Sequence, residues 1–181
     1  MHAADLLSKR AELTPDRVAL VEVETGRRYT YAELNARANR LANFLRERLG
    51  VQPGDRVSIL ARNSVVYVDL LYGLPKIGAI FAPFNWRLTA HELAYMVDDL
   101  VPKVLIFEPE FADVVQALCA PATMEHVVAL RGAALAGALA YEEEVSAAAA
   151  GEPVRPAMDF ETPSAVGRRC ACRQKGSPAP T

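Results

Sequence analysis

Asn85, Trp86 and Arg87 are the residues of this chain best placed by sequence to meet a ligand. They follow Gly78-Ala79-Ile80-Phe81-Ala82-Pro83-Phe84, an apolar run behind a glycine that predicts a buried strand leaving a helix C-terminus. The carboxyl ends of strands are where ligands bind in open α/β sheets, and an arginine there can meet a phosphate or a carboxylate. The competing role is local. Such an arginine more often anchors its loop to its own domain, and Trp86 serves more readily as a packing residue than as a stacking platform.

The other reactive side chains lack the company that chemistry needs. His91 stands one residue before a helix-capping glutamate, as a solvated surface group. His126 precedes an apolar strand with no cysteine, aspartate or second histidine nearby, and His2 lies at the terminus, so neither suits base catalysis or metal binding. Cys170 and Cys172 form a Cys-x-Cys pair, which supplies two ligands where structural zinc takes four. With Cys119 they make three cysteines, too few and too unevenly placed for a disulfide framework. Glu142, Glu143 and Glu144 read as the solvated face of a helix, and Ser58, Ser64 and Ser146 have no nucleophile-elbow context. The expected sets of catalytic, cofactor-binding and metal-binding residues are each empty.

The elements that would position these groups follow from punctuation and periodicity. Asp5 to Leu13 predicts a short helix stopped by Thr14 and Pro15. Ala19–Val23 and Arg28–Thr30 flank the turn signal Thr25-Gly26 and predict a hairpin. Thr30 and Glu33 form a capping box, and Leu34, Ala38, Leu41, Leu45 and Leu49 then recur at spacings of three and four, with Arg37 among the charged residues placed elsewhere around the helix. Gly50 is its expected C-cap. A strand over Arg56–Ala61 leads through the N-cap candidate Ser64 into a helix that Pro75 should kink or end. Thr89 and Glu92 form a second capping box before a helix closed by Pro102. Lys103–Phe107 predicts a strand, Glu110–Leu118 a helix, Val127–Leu130 a strand, and Leu135–Ala150 an alanine-rich helical stretch. Strand and helix alternate from residue 51 to about 130, which predicts an α/β fold: a parallel sheet flanked by helices on both faces.

Composition bounds what this fold can serve. The 181 residues are 51% hydrophobic and 23% charged, enough apolar surface for a core, and the net charge of −2 gives no reason to expect a nucleic acid or an anionic membrane as partner. No run is long and apolar enough for a membrane span, and the N-terminus lacks a secretory apolar centre, so a cytoplasmic location is expected. The charge is uneven. Ser164–Thr181 carries Arg168, Arg169, Arg173 and Lys175 with no acid, and removing those four from the 20 bases leaves sixteen against 22 acids, a net of −6 for residues 1–163. Four charges without interleaved aromatics promise only weak, salt-sensitive contact with nucleic acid. The expected organisation is a domain over residues 1–150, an extended connector over 151–163 and an unstructured basic tail over 164–181.

Several stretches together resemble a known family. Thr-Tyr-Ala-Glu-Leu at 30–34, Gly-Val-Gln-Pro-Gly-Asp-Arg-Val at 50–57, Leu74–Leu88 and Glu-Leu-Ala-Tyr-Met-Val-Asp-Asp at 92–99 are similar in kind, order and separation to the amino-terminal region of AMP-forming acyl-CoA synthetases. These belong to the adenylate-forming ligase superfamily. The resemblance covers roughly residues 5–163. It implies a partial AMP-dependent synthetase domain, and for the intact family a carboxylic acid substrate such as a fatty acid, with ATP, magnesium and coenzyme A used in acyl adenylation and then thioesterification.

The departures are as informative. After Asp-Phe-Glu-Thr-Pro at 159–163 the family continues into a strand and a Ser/Thr/Gly-rich loop around the ATP phosphates; here only Lys175-Gly176 resembles any part of it. No residue matches the family's later adenine, magnesium, ribose or adenylating-lysine positions. The chain is expected to bind no cofactor alone and to be inactive alone, as a truncated synthetase whose ending a frameshift, a premature stop or an imprecise gene model would each produce. The alternative is a non-catalytic interaction module, or a remnant that self-associates through exposed apolar surface. An autonomous dinucleotide-binding domain is disfavoured, because Ala-Arg-Asn-Ser-Val-Val after Leu60 lacks the required glycines.

Overall fold

The computed structural model describes residues 6–119, 124–132 and 135–156. Helix α1 (Leu6–Leu13) leads to an antiparallel hairpin of β1 (Val18–Val21) and β2 (Arg28–Thr30), joined through Gly26 at φ 71°. Helix α2 (Tyr31–Asn43) starts at the predicted capping box: Glu33 N–H donates to Thr30 Oγ1 and Thr30 N–H donates to the Glu33 carboxylate. Such a cap contributes about 0.5–2 kcal/mol. The helix runs on as a π-helical turn, Phe44–Arg48, and Gly50 at φ 63° turns the chain out of it.

The central sheet is parallel, with strands β3 (Arg56–Leu60), β4 (Ile80–Pro83), β5 (Val104–Phe107), β6 (His126–Ala129) and β7 (Leu139–Ala140) in the order β4-β3-β5-β6-β7. Alternation with period two divides its side chains between two apolar clusters. Val57 and Ile59 of β3 and Val104 and Ile106 of β5 face α2, α3 (Val65–Gly73) and α6 (Tyr141–Ala147). Leu60, Leu105 and Phe107 face the opposite way, toward α4 (Ala90–Leu100) and α5 (Ala112–Cys119). Both faces are thus covered, as continuous apolar strands require.

Some elements differ from their sequence expectations. The Ile80–Phe84 stretch is not a fully buried strand: β4 pairs only with β3 among the described residues, so Ile80, Phe81 and Ala82 are half-buried at an edge, where Pro83 needs no ladder donor. The Leu135–Ala150 helix is broken. Gly137 at φ 84° turns the chain, Leu139–Ala140 extends the sheet beside β6, and only Tyr141–Ala147 is helical. Alanine propensity yields there to the burial of Tyr141 and Val145 on the sheet. Pro75 acts as expected, with α3 giving way at Leu74 to a 3-10 turn over Leu74–Ile77. The Gly151–Pro163 connector is described only as far as Pro156, without regular secondary structure. Residues 164–181, with Cys170 and Cys172, lie outside the described residues.

Candidate functional site

The sheet order places a reversal between β3 and β5. The chain leaves β3 toward α3 on one face and leaves β5 toward α5 on the other, so the loops part and open a crevice at the carboxyl ends of the strands. A cleft of about 660 Å³ occupies this place. Its walls are the Leu20–Glu24 side of the hairpin, Arg62–Val65 after β3, Glu108–Glu110 after β5, and Arg131 after β6.

Backbone bonds carry the strand ladder into these loops. Glu108 N–H donates to Leu60 O at 3.1 Å, Leu130 N–H to Phe107 O at 2.8 Å, and Phe84 N–H to Ile59 O at 2.9 Å. Arg62 ties the two sides of the crevice: its N–H donates to the Glu108 carboxylate at 2.8 Å and its Nε meets Glu110 Oε1 at 3.0 Å. Tyr67 donates its hydroxyl to Ala61 O at 2.9 Å, and its pKa is raised by burial and then by the Glu108 charge. Ser64 holds the expected N-cap position of α3, yet its Oγ accepts no cap hydrogen bond and is buried without a partner.

The Asn85-Trp86-Arg87 loop lies beside this crevice. Asn85 Oδ1 accepts from Arg87 N–H at 3.1 Å, and the Arg87 guanidinium sits 4.2 Å from the Trp86 ring centroid. Arg62, from the neighbouring loop, approaches the same ring at 5.3 Å. Trp86 packs with its underside on the α4–α5 cluster, and Arg87 is held over it as a local anchor.

The remaining candidates are dispersed. His91 is exposed in the first turn of α4, and His126 is half-buried in β6. Ser58 is fully buried in mid-strand β3, and Ser146 Oγ donates back to Glu143 O. Glu142 and Glu144 are not purely solvated, since they lie 3.7 Å from Arg37 and 3.8 Å from Arg48. Among the described residues no group of three or more His, Cys, Asp or Glu could hold a metal ion.

A buried polar centre went unread in the sequence. Asp69, its side chain fully buried in α3, accepts from Arg37 Nη2 at 2.6 Å and Nε at 3.1 Å, and from the Tyr141 hydroxyl at 3.1 Å. Burial raises the Asp69 carboxyl above its ordinary range, against the pull of these bonds. Burial opposes the Arg37 charge too, but the Asp69 hydrogen bonds and the Asp69 charge together outweigh it and hold the guanidinium protonated. The pairing fixes α2, α3 and α6 to one another behind the cleft. Its signal was available: Asp69 is the one charge in Val65–Gly73.

Fold and crevice define an open, parallel α/β domain with a cleft at the switch point between β3 and β5. The sequence profile of the AMP-binding enzyme family matches residues 7–166, and the chain belongs to that family. The long-chain-fatty-acid–CoA ligase FadD13 of Mycobacterium tuberculosis is 40% identical over 148 residues, covering 82% of this chain and 28% of the relative. The 3-oxocholest-4-en-26-oate–CoA ligase of Rhodococcus rhodochrous is 42% identical over 113 residues, 62% of this chain and 20% of the relative. A solved Mycobacterium tuberculosis fatty acyl CoA synthetase superposes with a TM-score of 0.74 at 36% identity, over 84% of this chain and 30% of that one. The chain therefore spans less than a third of the length of these relatives.

Proposed function

We propose that these 181 residues serve as the amino-terminal part of an acid–CoA ligase, supplying the parallel sheet and one wall of its substrate cleft, and that they do not adenylate a carboxylic acid alone. The observation that carries this reading is the switch-point cleft, built on a sheet that superposes on a fatty acyl CoA synthetase. The charge of its lining supports the second half of this reading. Glu22, Glu24, Glu108 and Glu110 face only Arg62 and Arg131, an acidic balance hostile to a triphosphate, and the lining contains neither lysine nor glycine. The whole sequence has no Ser/Thr/Gly-rich phosphate loop either. Carboxylate-dependent ATP–pyrophosphate exchange by the 181-residue chain is expected to be undetectable with fatty acids of any length. Turnover above a no-enzyme control would overturn the reading.

One observation favours a second role, self-association. Val18, Val21 and Val23 are 45%, 45% and 92% exposed on the hairpin, and one edge of β4 has no partner among the described residues. Exposed apolar residues beside open strand edges favour association. Light scattering should then show a mass that grows with concentration, and a monodisperse monomer would remove this role.

A further inference from the structure

The last turn of α6 and the segment that follows it are held mostly by backbone. Arg40 Nη1 donates to Ser146 O at 2.6 Å and Ala148 O at 3.1 Å, and Asn39 Nδ2 to Ala150 O at 3.0 Å. Asn43 Nδ2 donates to Ala149 O at 2.8 Å and Gly151 O at 2.9 Å, and Arg46 donates to Val154 O. These donors form one edge of α2 and its π turn, with Asn39 and Arg40 adjacent and Asn43 and Arg46 following at intervals of three, so a single helix face reads an extended chain. The segment itself buries little. Pro153 is buried and Ala148 packs on the core, while Ala149, Gly151 and Val154 are exposed.

The far end of this strap is locked differently. Lys76, in the 3-10 turn after α3, has a fully buried side chain, and its ammonium meets the Glu152 carboxylate at 2.9 and 3.0 Å, Ser8 Oγ at 2.7 Å and Asn35 Oδ1 at 3.0 Å. A buried ammonium is tolerated only while a carboxylate and hydrogen bonds replace its water. Glu152, 39% exposed, is the carboxylate on the solvent side of the pair and also binds Arg155.

We propose that residues 146–154 form a latch, closed on α2 through their backbone carbonyls and locked by the Lys76–Glu152 pair, which opens as a unit while the sheet stays folded. Segments with few buried apolar contacts of their own open below the global unfolding free energy. Once the Glu152 charge is lost, the Lys76 ammonium regains water only when the strap lifts. Burial pushes the Glu152 carboxyl up, but the hydrogen bonds from Arg155 and Lys76 outweigh it and leave it below the ordinary range. The groove beside it also presents Lys9 and Glu12 of α1 and Asn35 of α2. Latch strength is therefore full above the ordinary glutamate range and falls as pH drops through the depressed value.

Lysine acetylation of the folded 181-residue chain by an N-hydroxysuccinimide ester of acetate, read by mass spectrometry, tests this directly. Glu152→Gln should label Lys76 about tenfold faster than the parent chain, the order expected from losing a charge-assisted hydrogen bond. Glu152→Asp should fall between the two, and Asn43→Ala should also accelerate labelling. Lys103, 19% exposed and paired with Asp55, should label at an unchanged rate, and amide exchange in β5 should not move. An unchanged Lys76 rate in both Glu152→Gln and Asn43→Ala overturns the latch. So does acceleration that appears only together with faster β5 exchange, because Lys76 would then be reached by global unfolding.

Discussion

Replacing Arg37 by alanine should lower the unfolding free energy by about 3–5 kcal/mol. The cause is not the loss of an attraction but what remains. Asp69 has no exposed side-chain surface, and Arg37 supplies three of its hydrogen bonds, at 2.6, 3.1 and 3.1 Å. Without the guanidinium, the Tyr141 hydroxyl at 3.1 Å is left to solvate a carboxylate between α2, α3 and α6. Urea denaturation followed by circular dichroism should show a lower midpoint with an unchanged slope.

The pH dependence separates this cause from simple loss of packing. Burial holds the folded Asp69 carboxyl above its unfolded value, so the folded state binds the proton more tightly than the unfolded one. Its contribution is therefore greatest below the ordinary aspartate range and declines as pH rises through the raised value. Removing Arg37 raises the carboxyl further and extends the decline toward neutrality. The Arg37→Ala penalty should accordingly be smaller at pH 4 than at pH 7; equal penalties would mean that a buried charge is not responsible. Since desolvation exceeds what the hydrogen bonds return, the triple replacement Arg37→Met, Asp69→Leu and Tyr141→Phe should regain most of the loss.

Local signals carried much of this fold into the sequence, and contacts between distant residues carried the rest. Both capping boxes, at Thr30 and Thr89, were legible because four consecutive residues contain the whole interaction. The Leu34–Leu49 stripe was legible for the same reason, its period matching the helix. Arg37 reads only as one of the charged residues placed off the apolar stripe, because its partner lies 32 residues away on another helix. Ile80–Pro83 read as buried because an apolar run has no mark that says which strand will lie at an edge. The site follows this pattern. The position of Trp86 and Arg87 at a strand end was visible, whereas the second arginine on that ring, Arg62, comes from a loop joined only through sheet pairing. The cleft required the order β4-β3-β5, which alternation of strand and helix does not specify. Nothing within α2 itself marks Asn39 and Asn43, since what they bind is backbone more than 100 residues on.

Gly73→Ala is the other substitution whose effect should run against its local propensity. In an exposed helix the change would gain about 1 kcal/mol, because glycine gives up more backbone freedom than alanine. Here a Cβ at residue 73 would stand 2.8 Å from the Ala38 carbonyl oxygen and 3.5 Å from Leu41 Cδ2. The obstruction is the backbone of α2, which cannot rotate away as a side-chain end would, so the helices must part. Overpacking of this kind costs about 1–3 kcal/mol, and after the propensity gain a net loss of up to about 2 kcal/mol is expected by urea denaturation. The same change at Gly151, where nothing lies within 4 Å of the added carbon, should leave stability within about 0.5 kcal/mol. Separating α2 from α3 would also stretch the Arg37–Asp69 bonds that cross the same interface, so the two sites should couple. In the triple replacement, where no ion pair remains to be stretched, Gly73→Ala should cost measurably less than in the parent chain. An identical cost in both backgrounds would mean that the helices accommodate the methyl group without moving the buried charge.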